Sequence, residues 1–276
     1  MELVGWMLER WGFRVALRVY AGVTVVVSGP GLLLIRPRGR ATRELAEAPT
    51  KSRTAYQVLR PFATNIHFHI MAAAVFVQGL GFFIPNIYIS SFAEGLGLST
   101  SAGSGLLALV SLAQVLGQLG QGLVSDRVNI YIPLSISALI PGLGALLLWG
   151  PAKGLAYLAP FAITWGLFSA SYSVLYTRMC SFLTDTIDDG TDDHDNVSML
   201  LYGFFSFERG VSNVFSGPIS SWFVDQRRVI DRDKYGLDRY AAVIWFTVLC
   251  MLMSSLVGIG WFWRPRTKQK RGFPGG

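Results

Sequence analysis

Seven apolar stretches follow one another along this chain, and each is long enough to cross the hydrocarbon core of a bilayer. A membrane-spanning helix needs about 20 predominantly apolar residues. Backbone N–H and C=O groups inside lipid must be bonded internally, which favours helices for stretches of this length. We therefore expect an all-α integral membrane protein with about seven transmembrane helices. The predicted spans cover residues 15–35, 66–92, 104–124, 130–149, 155–177, 197–224 and 241–263.

The composition agrees with this fold class. Hydrophobic residues make up 51% of the chain and charged residues only 15%, whereas soluble domains carry about 25% charged residues. The net charge of +7 lies in short runs between the apolar stretches, which is typical of membrane proteins rather than of nucleic-acid-binding surfaces. Cys180 and Cys250 form no CxxC motif, and His67 and His69 would point to different sides of a helix. We expect no nucleic acid, disulfide or metal ion.

The basic runs predict how the chain is oriented and divided. Residues 1–35 hold the first helix, 36–65 form a basic loop, 66–263 form a six-helix bundle, and 264–276 form a basic tail. Lys and Arg favour the cytoplasmic side of membrane proteins. We therefore expect the central loop and the tail to face the cytoplasm.

Two charged residues interrupt the sixth apolar stretch. Glu208 and Arg209 are adjacent, so on a helix they point about 100° apart and do not face each other well. An ionisable group at the bilayer centre costs about 2.5–3.5 kcal/mol on insertion scales. That cost favours a place on a solute pathway, although a structural ion pair with a neighbouring helix and an interfacial position remain open. A polar seam with steps of three and four includes Ser206, Arg209, Asn213, Ser216 and Ser220.

The same stretch also carries a row of small residues. Gly203, Gly210 and Gly217 recur at steps of seven, and small residues on one helix face let another backbone approach closely. The spacing predicts a packing face there.

Other spans carry polar residues that could line a cavity. Gln78 and Asn86 lie in the second stretch beside Pro85, which lacks a backbone donor and predicts a break in the helix. Broken segments of this kind often line the cavities of transporters. Tyr172 belongs to a row of hydroxyl side chains in the fifth stretch, which suits either an organic solute or helix packing.

The chain shows no motif for catalysis. It contains no P-loop, no GxSxG and no HExxH. We expect neither an enzyme nor a bound cofactor.

A short motif resembles a known family. The segment "GLVSDR" at 122–127 resembles the Gly-x-x-x-Asp-Arg signature of the major facilitator superfamily, found in the cytoplasmic loop between paired helices. The match covers Gly122, Asp126 and Arg127. The resemblance implies that this loop is a conformational latch; the alternative is a simple helix end with charges.

Three further segments resemble fungal monocarboxylate-porter-like members of that superfamily. They are "WGFRVALRV" (11–19), "FIPNIYISSFAEGLGLS" (83–99) and "SGPIS" (216–220), which are similar to the family's sixth, seventh and eleventh helices. The resemblance implies the C-terminal half of a twelve-helix fold, helices six to twelve. The chain is then either a truncated product, or it pairs with a separate N-terminal half or a second copy.

The resemblance implies a secondary transporter that moves a small organic solute, such as a monocarboxylate or a secondary metabolite, by alternating access, for example in efflux. The plasma membrane is the expected location. Arg209 would meet an anionic group or neutralise Glu208, and Glu208 would carry a proton. Gln78, Asn86, Tyr172 and Asn213 would line the route. Span 104–124 carries no charged residue, unlike the eighth helix of the animal monocarboxylate carriers, so Glu208 with Arg209 is the candidate substitute.

Two alternatives remain. One is a membrane subunit or regulatory half-bundle that does not itself transport. The other is a seven-helix receptor, which is less favoured because the chain lacks Asp-Arg-Tyr after the third span and Asn-Pro-x-x-Tyr in the last.

Overall fold

The fold is described from a computed structural model, which covers residues 60–186, 194–225, 231 and 233–261, together with short helical pieces between residues 14 and 29. The regular secondary structure of these residues is helical throughout. The contacts divide the chain into two compact units, Met1–Thr54 and Ala55–Gly276. Much of the predicted first span, most of the central loop and the C-terminal tail lie outside the described residues. The predicted domain boundaries at residues 35, 65 and 263 stay predictions.

The described residues of the second unit form eight α-helices. In chain order they are α1 (Ile66–Phe82), α2 (Ile84–Gly95), α3 (Thr100–Ser125), α4 (Tyr131–Gly144), α5 (Leu155–Ser169), α6 (Tyr172–Thr186), α7 (His194–Asp225) and α8 (Ala241–Ser255). A π-helical turn, Ala145–Trp149, continues α4, and a 3-10 helix, Leu256–Trp261, continues α8. Two shorter 3-10 helices are Phe62–Thr64 and Tyr235–Leu237.

Five helical segments of the described chain are long and apolar enough to cross a membrane. They are Ile66–Gly95, Thr100–Ser125, Tyr131–Trp149, Leu155–Thr186 and Ala241–Trp261. Each coincides with one of the predicted spans, which confirms the all-α membrane fold class. The remaining long helix, α7, has 32 residues and is therefore about 48 Å long, more than the hydrocarbon core requires. It packs against α1 and α6. Its internal polar residues make it less apolar than the five segments above.

Local sequence explains where the helices begin. The Asn65 side chain accepts a hydrogen bond from the backbone N–H of His67 and caps α1. The Ser99 side chain accepts one from Ala102 and caps α3, so this helix starts four residues before the predicted span. Asn and Ser are favoured at this position because the first helical N–H groups otherwise lack partners.

The two longest segments are each broken into two helices. The first breaks at Phe83, just before Pro85, as the proline predicts. The second breaks at Ala170 and Ser171 without a proline. There the hydroxyl of Ser171 donates to the carbonyl of Leu167, and that of Ser173 donates to Ala170. Such local bonds compete with the helix ladder and bend it, but they are too common in sequence to have predicted this break.

Close helix packing uses other glycines than the predicted ones. A Cβ on Gly117 would overlap the carbonyl oxygen of Leu167, and one on Gly166 would crowd the carbonyl oxygen of Val110, so α3 and α5 touch backbone to backbone. A Cβ on Gly203, Gly210 or Gly217 would meet no atom of the described chain within 4 Å. The prediction that this row packs against a neighbouring helix is therefore wrong for the part of the chain described.

Candidate functional site

Arg209 extends from α7 into the space between α1 and α6. Its Nη1 donates hydrogen bonds to Gln78 Oε1 at 2.6 Å and to the Tyr176 hydroxyl at 3.2 Å. The guanidinium carbon lies 4.4 Å from the centre of the Phe82 ring, a distance at which the ring face attracts a cation. All three partners are uncharged. The ion pairs found among the described residues belong to Lys234, so no described carboxylate neutralises Arg209.

Gln78 is the side chain that holds Arg209 in place. It is fully buried in α1. Its Oε1 accepts from Arg209 while its Nε2 donates to the backbone carbonyl of Ser169 at 3.0 Å. That carbonyl ends α5 at the break before α6, where the helix ladder no longer supplies a donor. One amide therefore joins α1, the break between α5 and α6, and α7.

Glu208 does not share the contacts of its neighbour Arg209. Its carboxylate is half-buried, and Oε2 has no hydrogen-bond partner among the described residues. It forms no ion pair with Arg209, as their divergent directions on the helix predict. The alternative of a structural ion pair between Glu208 or Arg209 and another helix is not found in the described part of the chain.

The polar seam along α7 is present but is not uniform. Ser206 is exposed, whereas Ser216 and Ser220 are almost completely buried. The Asn213 side-chain oxygen and the Ser216 hydroxyl are buried without a hydrogen-bond partner in the described residues. Buried polar groups are normally paired, so these two positions are suited to water or to a solute group.

Tyr172 and Asn86 make contacts of their own. The Tyr172 hydroxyl lies 3.1 Å from Ser254 Oγ of α8, which in turn donates to the carbonyl of Ala74 in α1. The Asn86 side chain donates to the carbonyl of Phe82 at the break between α1 and α2. Of the residues predicted to form the route, the structure joins Arg209 to Gln78 and gives Tyr172 and Asn86 other partners.

Sequence reasoning missed three contributors to this region. Phe82 and Ser254 look like ordinary apolar and small helix residues in the sequence, and Tyr176 was indistinguishable from its hydroxyl-bearing neighbours. Gln78 and Tyr176 lie 131 and 33 residues from Arg209 along the chain. Spacing on one helix carries no information about such partners.

The predicted latch lies at the C-terminal end of α3. The helix ends at Ser125, and Asp126 and Arg127 are exposed beside Arg178 and Asp185 of α6, in a cavity of about 370 Å³. Gly122 lies one turn earlier, where an added Cβ would contact Val174 loosely. Neither Asp126 nor Arg127 forms an ion pair with a described residue, so the latch role stays a prediction.

No cluster of three metal-ligating side chains occurs among the described residues. The site thus consists of one uncompensated cation, an unpaired carboxylate oxygen and a few buried amides and hydroxyls.

Comparison with known proteins decides the family. The family model of the Major Facilitator Superfamily matches residues 3–189, more than half of the chain. The chain belongs to the major facilitator superfamily. It is therefore a multi-pass integral membrane protein of a transporter family. This membership favours the transporter hypothesis over the seven-helix receptor.

Several fungal members of the superfamily resemble the chain. An MFS-type transporter of Gibberella moniliformis is 25% identical, in a match covering 79% of this chain and 50% of that protein. The MFS transporter asaE of Aspergillus flavus is 26% identical over 62% of this chain and 37% of its own length. The Fujikurins efflux protein of Gibberella fujikuroi is 26% identical over 60% and 34%. The chain spans about half the length of these relatives, or less.

Proposed function

We propose that the chain is a secondary transporter, or one half of one, and that it moves a small organic anion by alternating access. The observation that carries the proposal is the environment of Arg209. Its guanidinium is fixed by two neutral acceptors and an aromatic ring, so its positive charge stays available for a ligand. A charge in a medium of low polarity attracts an opposite charge more strongly than it would in water.

The solute class follows from this charge and from the relatives. One relative is named as an efflux protein for fujikurins and another as an efflux protein for aspyridones. For this chain we propose export of an organic carboxylate or a related secondary metabolite. In this scheme Glu208 carries a proton, and Gln78, Asn86, Tyr172 and Asn213 line the route.

The finer assignments are part of the same proposal. The resemblance to monocarboxylate-porter-like members assigns the chain to helices six to twelve, with a central loop at 36–65 and a tail at 264–276 in the cytoplasm. Its partner is then an N-terminal half or a second copy, and the plasma membrane is the location. Gly122, Asp126 and Arg127 act as the latch between conformations.

The proposal is tested with the full chain in lipid nanodiscs and in vesicles. The probe is radiolabelled 1-naphthoate, with the neutral 1-naphthamide as its matched analogue. We expect saturable binding of the carboxylate alone. The Arg209→Gln variant should weaken that binding by about ten- to a hundredfold, since a hydrogen bond to a charged group contributes about 1.5–3 kcal/mol.

Two controls make the result decisive. Lys153→Gln removes one positive charge from an exposed position and should leave binding unchanged. Arg209→Lys keeps the charge and should retain part of the affinity. If 1-naphthoate and 1-naphthamide bind alike, the proposal is wrong. Binding that never leads to flux into vesicles would instead support a non-transporting membrane subunit.

A further inference from the structure

A second cavity lies near the far end of α7, away from the latch. Its volume is about 580 Å³. It is bounded by α2, the last turns of α7 and the turn that precedes α8. Arg239 supplies the positive charge of its lining, and Tyr88 and Trp222 supply aromatic walls. The full lining consists of Tyr88, Pro218, Ser221, Trp222, Val224 and Arg239.

Like Arg209, Arg239 forms no ion pair with a described carboxylate, although Glu94 of α2 acts electrostatically on the adjacent Tyr240. Its Nε is buried without a hydrogen-bond partner, and its guanidinium carbon lies 5.7 Å from the centre of the Tyr240 ring. Burial raises the pKa of the Tyr240 hydroxyl above its ordinary value, so this neighbour stays neutral. The nearby Asp238 contacts Lys234 at 3.9 Å. A buried donor without an acceptor is unfavourable, which suits this cavity to an anion.

A buried polar seam leads from this cavity towards Arg209. Tyr88, at the cavity wall, donates a hydrogen bond to Ser220 Oγ at 3.3 Å. One turn further along α7 the Ser216 hydroxyl has no partner in the described residues, and neither does the Asn213 side-chain oxygen beyond it. The distance along the helix from Ser220 to Arg209 is about 16 Å. Unpaired polar groups along such a line can be hydrated or can contact a passing solute.

We propose that Arg239 forms a second binding site for organic carboxylates, at the opposite end of this seam from Arg209. The aromatic walls fit a carboxylate with an apolar or aromatic body, and the guanidinium binds its charged group. An anion leaving or approaching Arg209 is then held once more at the end of the bundle. This inference rests on the proposed function, in which the same class of solute passes Arg209.

The test counts sites on the full chain in nanodiscs of phosphatidylcholine. Equilibrium binding of radiolabelled 1-naphthoate to the unaltered chain should follow two sites. Arg239→Gln should weaken one of them by about tenfold and leave the other intact. The matched control is Lys153→Gln, which removes an exposed positive charge outside this lining and should leave both sites unchanged. Association through Arg239 should also slow at high salt, because screening shortens the range of its field.

The arms of the experiment separate this inference from the proposed function. Loss of one site in Arg209→Gln and of the other in Arg239→Gln supports both. If Arg209→Gln weakens binding and Arg239→Gln changes nothing, the second site is refuted while the function stands. If Arg239→Gln alone weakens binding, the second site stands and the role of Arg209 is refuted.

One further arm distinguishes the solute from a lipid headgroup. Nanodiscs that contain phosphatidic acid present a phosphate at the membrane surface. If this lipid abolishes 1-naphthoate binding at the Arg239 site of the unaltered chain, the site is a headgroup site and the solute assignment is wrong. Unchanged 1-naphthoate binding supports the carboxylate site.

Discussion

Arg209 in the middle of α7 and Arg127 just after α3 lie in different surroundings. Arg209 is surrounded by the neutral side chains of Gln78, Tyr176 and Phe82. Arg127 lies in a cavity whose lining also includes Arg178 and two aspartates, Asp126 and Asp185. Carboxylates line the second cluster, whereas no described carboxylate forms an ion pair with Arg209. The positive charge is thus balanced locally at the helix end and left available inside the bundle.

The strongest way to break this contrast is to give Arg209 an anion of its own. Gln78→Glu keeps an acceptor for Arg209 and supplies a negative charge, while it removes the amide donor to the Ser169 carbonyl. We expect 1-naphthoate binding to fall by about ten- to a hundredfold, because the guanidinium is then neutralised. Equilibrium binding checks this, and circular dichroism confirms that the helices remain. Undiminished binding would show that the free charge of Arg209 is not what attracts the probe.

A second change addresses the adjacent carboxyl group. If Glu208 carries the coupled proton, Glu208→Gln should make flux into vesicles independent of pH, whereas flux through the unaltered chain should vary from mildly acidic to mildly alkaline solution. Equilibrium binding should change less than flux, since Glu208 makes no ion pair with Arg209. The measurement is initial flux at a series of pH values. A pH profile that survives the substitution excludes Glu208 as the carrier.

A smaller effect is expected where one neutral contact is removed. Tyr176→Phe deletes the hydroxyl that lies 3.2 Å from Arg209 but keeps the ring. A single hydrogen bond contributes about 1 kcal/mol, so we expect the affinity for 1-naphthoate to change by a few-fold. Arg209→Gln combined with Tyr176→Phe should bind no more weakly than Arg209→Gln alone. Additive losses would indicate that Tyr176 contacts the solute directly.

The smallest effect is expected at Arg127, the exposed arginine that follows α3. Arg127→Gln alters an exposed residue in a cluster of mixed sign. Equilibrium affinity for 1-naphthoate should stay within about twofold, because Arg127 is not among the residues that contact Arg209. A latch role would show instead as a changed rate of flux at constant affinity. If affinity falls as far as in Arg209→Gln, the contrast between the two arginines does not hold.

Much of the fold could be predicted because the membrane limits what an apolar stretch can do. The five spans found by length and composition coincide with predicted ones, and the break before Pro85 follows from a missing N–H. The break at Ala170 was not predictable, since serines bond back to the helix in many unbroken helices. The prediction that the row from Gly203 to Gly217 packs against a helix was wrong because spacing identifies a face of small residues but not the helix that covers it.

The site was predictable only in part, for a related reason. The cost of a charge in lipid identifies Arg209 and Glu208 from sequence alone. The partners of Arg209 come from helices far away along the chain, and their identity depends on how those helices rotate and cross. Gln78 was selected because it is polar and near a proline. Its hydrogen bond to Ser169 depends on the break between α5 and α6, which the sequence did not predict.

The single amide of Gln78 has a mechanical consequence. Its oxygen accepts a hydrogen bond from the guanidinium of Arg209, and its nitrogen donates one to the Ser169 carbonyl at the end of α5. A shift that moves α1 away from that joint strains both hydrogen bonds. The orientation of the guanidinium and the geometry of the α5–α6 bend are therefore coupled through one planar amide group.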